Sequence, residues 1–157
     1  MTCSDAGVRL IQSFEGLRLA AYLDSAGIPT IGYGTIRYPN GIKVTLGDVC
    51  TEADADDYFR HDLTRFDLDV DALTTDAVAQ REFDALCSFC YNVGSAAYKG
   101  SRLRQKVNAD HTDGSIREEF MKWHYAGGKP VLGLWNRRHK EADFYFGVTT
   151  PIPPMPR

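Results

Sequence analysis

No run of about 18 apolar residues occurs in this 157-residue chain, so no transmembrane helix is expected. The opening residues, Met1-Thr-Cys-Ser-Asp5, carry no basic start and no apolar run; a secretory signal peptide is not expected either. Cysteine is sparse, at Cys3, Cys50, Cys87 and Cys90. Cys87-x-x-Cys90 has the spacing of a redox pair or half a zinc site. There is no second cysteine pair, and His61, His111, His124 and His139 lack finger spacing. The pair also sits within Phe83–Asn92, where apolar residues recur at helical spacing. Both thiols therefore read as small core residues, in keeping with a reducing cytosol. No internal repeat is visible. Hydrophobic residues at 43% and charged residues at 25% exclude a disordered, collagen-like or coiled-coil chain. A chain of this length buries about 68–70% of its unfolded surface and needs no metal or disulfide staple.

The net charge of −3 conceals an uneven distribution. Residues 1–97 hold 7 basic against 15 acidic side chains, and residues 98–157 hold 11 against 6. A basic C-terminal half suits an anionic polymer, either nucleic acid or a carboxylate-rich wall, although solvated faces alone would give the same count.

Ser4 to about Ser13 reads as a short amphipathic helix capped by Ser4, with Val8, Ile11 and Leu10 on its apolar stripe. From Leu17 to Lys43, glycine and proline punctuate short runs such as Leu19–Leu23 and Pro29–Tyr33, the pattern of short strands joined by tight turns. Thr51-Glu-Ala-Asp54 resembles a capping box. A long acidic helix follows through Tyr58, Leu63, Phe66 and Val70, and breaks near Thr74–Asp76. Further helices are expected over Arg81–Val93, Ser101–Asn108, Ser115–Tyr125 and about Leu134–Phe146, with a loop at Ala126–Pro130. Pro151–Pro156 reads as an unpacked, Pro-rich tail. The order predicts a mainly helical α+β fold. A small β-containing lobe (about 15–60) would be joined by a long helix to a larger helical lobe (about 1–14 and 61–148). Together these form one domain, 1–148, followed by the tail 149–157. A cleft between two such lobes is a natural ligand site.

Three polar residues stand where the first helix meets the β region: Glu15, Asp24 nine residues on, and Thr30 six beyond that. They lie within Ser13-Phe-Glu-Gly-Leu-Arg-Leu19 and Gly27-Ile-Pro-Thr-Ile-Gly-Tyr-Gly34. Here the chain resembles the phage-type lysozymes, the endolysin and muramidase family of T-even and lambdoid phages. The resemblance runs from about Ser4 to Gly147. Tyr91-Asn-Val-Gly94, Trp123–Lys129 and Asn136-Arg-Arg138 are similar to later motifs of the lambdoid branch.

The resemblance implies a lysozyme-like fold and makes Glu15 the general acid, a role that requires burial to raise a carboxyl pKa. Asp24 would stay ionised beside the oxocarbenium-like transition state, and the Thr30 hydroxyl would hold the attacking water, with inversion at the anomeric carbon. Arg137 resembles the family's arginine that reaches toward the catalytic Glu. Ile36, Tyr91, Asn92 and Ser101 match positions lining the saccharide cleft. One departure is Thr35, where many members carry His after G-x-G. The expected activity is hydrolysis of the β-1,4 bond between N-acetylmuramic acid and N-acetylglucosamine, with no metal or cofactor. The expected partner is bacterial peptidoglycan, with no nucleic acid and no stable membrane insertion. The resemblance further implies a monomer made in the host cytoplasm that reaches the wall in a holin-dependent way. A lytic transglycosylase and a non-catalytic wall-binding module are the rival readings. Asp24 and Thr30 count against both.

Overall fold

The computed structural model describes residues 1–157. Seven helices and two small sheets follow in the order α1 (Asp5–Gln12), β1 (Arg18–Leu23), β2 (Pro29–Gly32), α2 (Glu52–Leu73), α3 (Gln80–Val93), α4 (Ser95–Gly100), α5 (Arg102–Ala109), α6 (Ile116–Met121), β3 (Tyr125–Ala126), β4 (Lys129–Pro130) and α7 (Leu132–Phe146). The class is the mainly helical α+β expected above. No helix is long and apolar enough to cross a membrane. The chain divides into two compact units, Val8–Arg65 and Met1–Gly7 with Phe66–Arg157.

In the smaller unit β1 and β2 pair antiparallel, with Tyr22 opposite Thr30, Leu23 opposite Pro29, and a register irregularity between Arg18 and Tyr22. Gly32 ends β2 at a φ of +66°, and a Cβ there would stand 3.2 Å from that of Ala55, so only glycine lets the strand close on α2. The core gathers Val8, Ile11, Ile31, Val44, Ala55, Phe59 and Leu63. Tyr33 meets Phe59 edge to face at 5.6 Å. The start of α2 is reciprocal: Asp54 N donates to Thr51 Oγ1 at 3.1 Å, and Thr51 N to Asp54 Oδ2 at 3.0 Å. Thr35 is buried and donates to Asp62 Oδ2 at 2.7 Å. Burial pushes the Asp62 carboxyl up against that hydrogen bond.

The larger unit is built on α3, which is buried without break from Glu82 to Cys90, as a helix enclosed on all sides must be. It packs against α7 and α4. Phe89 stands edge to face with Phe120 at 5.7 Å and with Trp123 at 5.3 Å. Cys87 and Cys90 are wholly inside this core, as their packing role requires.

Three local readings change. Ser115–Tyr125 is not one helix: α6 stops at Met121 and Tyr125 opens a hairpin. The loop at Ala126–Pro130 is that hairpin's turn, with Tyr125 opposite Pro130 and Ala126 opposite Lys129. Gly127 and Gly128 both take positive φ, 57° and 76°, as a two-residue hairpin turn requires. The Pro-rich tail is not unpacked. Trp135 Nε1 donates to the Pro153 carbonyl at 2.7 Å, and Thr150 N to Asp143 Oδ2 at 2.8 Å.

Candidate active site

Glu15 stands half-buried just past α1. The helix tapers there into shorter-range bonds: Phe14 N to Ile11 O at 3.0 Å, and Glu15 N to Gln12 O at 3.2 Å. Gln12 Nε2 donates to Asp56 Oδ1 at 2.8 Å, and Arg60 Nε to Asp56 Oδ2 at 2.8 Å. One carboxylate on α2 thus ties the end of α1, and with it the turn bearing Glu15, to a rigid element.

Asp24 lies at the end of β1 and organises the turn into β2. Its Oδ1 accepts from Ala26 N at 2.8 Å and Ile28 N at 2.9 Å, an Asx-type turn. Its own N–H donates to Ile28 O at 3.0 Å. Thr30 is 3% exposed, and its Oγ1 donates to the same Ile28 carbonyl at 2.9 Å. Ile28 therefore holds both side chains, through its N–H and its C=O. Two chemical consequences follow. The Thr30 proton is committed, so its oxygen is presented as an acceptor. One Asp24 oxygen is committed, which leaves Oδ2 to act on a ligand. Glu15, Asp24, Thr30 and Ile36 all belong to the smaller unit. Ile36 is 45% exposed, and its carbonyl accepts from Val44 N at 3.0 Å.

Tyr91, Asn92, Ser101 and Arg137 belong to the larger unit. Tyr91 is half-buried at the end of α3, edge to face with Phe66 at 5.1 Å. Asn92 is exposed, and its Oδ1 accepts from Arg138 Nη2. Ser101 is 3% exposed and is the N-cap of α5. Its hydroxyl donates to Tyr98 O at 2.8 Å and accepts from Arg104 N at 3.1 Å, so the side chain is spent on the helix terminus. Arg137 is buried on α7, with Nε on Glu141 Oε1 at 3.0 Å and Nη2 on Ser88 O at 3.1 Å.

Two residues of this arrangement escaped sequence reasoning. Ile28 acts through its backbone and leaves no side-chain signature. Arg138 is fully buried, lies over the Phe89 ring at 5.0 Å and pairs with Glu141 Oε2 at 3.0 Å. With Asn92 Oδ1 occupied by this guanidinium, the Asn92 amide presents its N–H₂ side outward as a donor. The signal was available in part: Arg137 and Arg138 precede Glu141 by four and three residues, which places all three on one helical face.

Residues 12–141 match the family model described as phage lysozyme. The endolysin of Bacillus phage B103 is 42% identical over 146 residues, covering 92% of this chain and 54% of that protein. The chain thus spans about half the length of that relative. Among solved structures, the endolysin from Escherichia coli O157:H7 phage FAHEc1 superimposes with a TM-score of 0.86 at 41% identity, over 96% of this chain and 97% of that one. The muramidase domain of SpmX from Asticaccaulis excentricus gives a TM-score of 0.80 at 33% identity, over 96% and 99%.

Proposed function

The chain belongs to the phage lysozyme family, and from that premise we propose that it is an endolysin-type muramidase. It hydrolyses the β-1,4 bond between N-acetylmuramic acid and N-acetylglucosamine in bacterial peptidoglycan, with inversion. The observation that carries this reading is the Ile28 clamp, which orients an anionic oxygen and a hydroxyl lone pair from neighbouring strand ends.

Glu15 delivers a proton to the glycosidic oxygen as the bond lengthens. Positive charge grows on the sugar ring, and the Asp24 carboxylate stabilises it electrostatically. A water donates one hydrogen to Thr30 Oγ1, whose own proton is held by Ile28 O. Its other hydrogen goes to Asp24 Oδ2, and its lone pair faces the anomeric carbon on the side opposite the leaving group. Attack there inverts a β bond to an α product. Arg137 is held by Glu141 and Ser88, and the resemblance implies a positioning role for it. Ile36, Tyr91 and Asn92 contact the saccharide. Ser101 contributes by fixing the start of α5 with its hydroxyl rather than by offering that hydroxyl to the saccharide. No cofactor enters the scheme. In the cell the enzyme is a monomer made in the host cytoplasm, and it reaches the wall through holin-dependent access. These last points rest on the resemblance.

The test is proton NMR of the anomeric signals during early turnover of a soluble wall fragment. The expected first product is a reducing sugar in the α form. A β-anomer overturns inversion, a 1,6-anhydro product moves the chain to the transglycosylases, and no new reducing end overturns the enzyme reading.

A further inference from the structure

We propose that Cys3 and Cys87 are a disulfide-forming pair, closed by thiol–disulfide exchange with a low-molecular-weight disulfide. The proposal is independent of the activity argued above.

The N-terminal residues lie along one stripe of α3. Thr2 O accepts from Gln80 Nε2 at 2.9 Å, and Ser4 N donates to Asp84 Oδ1 at 2.9 Å. Gln80, Asp84 and Cys87 are spaced i, i+4, i+7, which is one helical face. Residues 2 and 4 are thus pinned on either side of Cys3 to the stripe that ends in Cys87. The Cys3 sulfur is turned inward: a Cβ placed on Gly7 would lie 2.4 Å from it and 2.6 Å from Asp84 Cγ. Glycine at position 7 keeps that space open. Asp67 joins the two cysteines. It accepts the Cys87 thiol proton on Oδ1 at 3.3 Å, and both the Cys3 backbone and the Cys3 thiol lie near enough to enter the electrostatics of Asp67 and Cys87. The other two thiols are placed differently. Cys90 Sγ lies 3.8 Å from Ser95 Oγ, and Cys50 belongs to the smaller unit.

The chemistry divides between the partners. Cys87 is fully buried, and burial holds its thiol far above the ordinary range, so it cannot begin the exchange. Cys3 is half-buried and reaches the co-reactant. Its thiolate attacks one sulfur of RS–SR, the S–S bond breaks, and RS⁻ leaves and takes up a proton. The mixed disulfide Cys3–S–SR then faces Cys87. The Cys87 proton passes to Asp67 Oδ1 as its sulfur attacks Cys3 Sγ, and the second RS⁻ leaves and is protonated in turn. Two protein thiols are oxidised, one small disulfide is reduced to two thiols, and both protons are accounted for. The bond closes about 84 residues of chain and fastens Met1–Gly7 to the rest of its own unit.

The folded full chain is incubated with oxidised glutathione, quenched by alkylation and peptide-mapped by mass spectrometry. The expected result is a Cys3–Cys87 cross-linked peptide with Cys90 unmodified. The thermal midpoint should rise by roughly 5–15 °C for a loop of this length and fall back in dithiothreitol. Cys3→Ser should lose both the cross-link and the rise, while Cys50→Ser keeps both. A folded wild type that yields only glutathione adducts at Cys3, or that cross-links through Cys50, overturns the proposal. So does a Cys3–Cys87 bond that forms only in urea or lowers the midpoint.

Discussion

Ile28 decides what a substitution at Asp24 measures. Asp24 Oδ1 accepts two backbone N–H groups, from Ala26 and Ile28, and an asparagine oxygen can accept both in the same place. Asp24→Asn therefore removes the charge and keeps the turn. Turnover of a soluble wall fragment should fall about 10²–10³-fold, with the thermal midpoint unchanged. Asp24→Ala removes the turn bonds as well and should cost a further ~1–3 kcal/mol of stability. Equal unfolding curves for the two variants would show that the turn does not depend on this carboxylate. Glu15→Gln keeps shape and loses the transferable proton, so the rate should fall about 10²–10⁴-fold with the fold intact; more than half the wild-type rate would remove Glu15 from the mechanism. Glu15, Asp24 and Thr30 stand out in the sequence because they lie close together in a distinctive context. The Ile28 clamp was not, since backbone groups carry no residue signature. The Arg138–Asn92 bond joins residues 46 apart, a pairing that helical spacing cannot announce.

At the scale of elements, the apolar pattern recovered α1, α2, α3, α5 and α7 to within a residue or two, whether the helix buries one face, as α1 does, or is buried throughout, as α3 is. It failed where neighbours, not propensity, decide. Trp123, His124 and Tyr125 continue an apolar pattern, yet Gly127-Gly128 turns the chain back and Tyr125 enters a hairpin. The tail has no periodicity at all and is held by single hydrogen bonds to α7. Those bonds have a pH dependence whose sign can be derived. Burial raises the Asp143 pKa, but hydrogen bonds from the Thr150 N–H, the Thr150 hydroxyl and Arg117 outweigh it and hold it below the ordinary carboxylate value. A carboxylate depressed by folding stabilises above its unfolded pKa, about 3.9, and loses that contribution as pH falls through the folded value. The tail should stay docked above about pH 5 and loosen below about pH 4. Trp135 reports on this directly, since its indole N–H is bonded to Pro153 O. Its fluorescence should shift between pH 6 and 3, and Asp143→Asn should abolish the shift and leave residues 149–157 open to proteolysis at neutral pH. A tail equally protected at pH 6 and pH 3 would show that Asp143 does not hold it.

At the scale of the whole molecule, the uneven charge of the sequence does not survive folding. Cut at residue 97, the chain reads as an acidic half and a basic half, and the basic half invites an anionic partner. The units are cut differently. Val8–Arg65 holds 6 basic and 8 acidic side chains, a net −2, while Met1–Gly7 with Phe66–Arg157 holds 12 and 13, a net −1. The acidic residues of the second half of α2 and of α3 share a unit with the C-terminal lysines and arginines. Several of those cations are also bound locally: Lys106 and Lys122 to Glu119, Arg117 to Asp143, and Arg137 and Arg138 to Glu141. A protein that grips a polyanion through six to ten cationic contacts loses about 10³–10⁵ in affinity between 50 and 200 mM salt. Units each within two charges of neutrality offer no surplus of cations for so many contacts, so the proposed recognition is expected to rest on short-range groups. Wall binding, measured by co-sedimentation with the inactive Glu15→Gln variant, should therefore change by less than about threefold over that salt range. A tenfold or greater loss would place the binding energy in a cationic surface, and Lys99, Arg102 and Lys129 would be the residues to neutralise first.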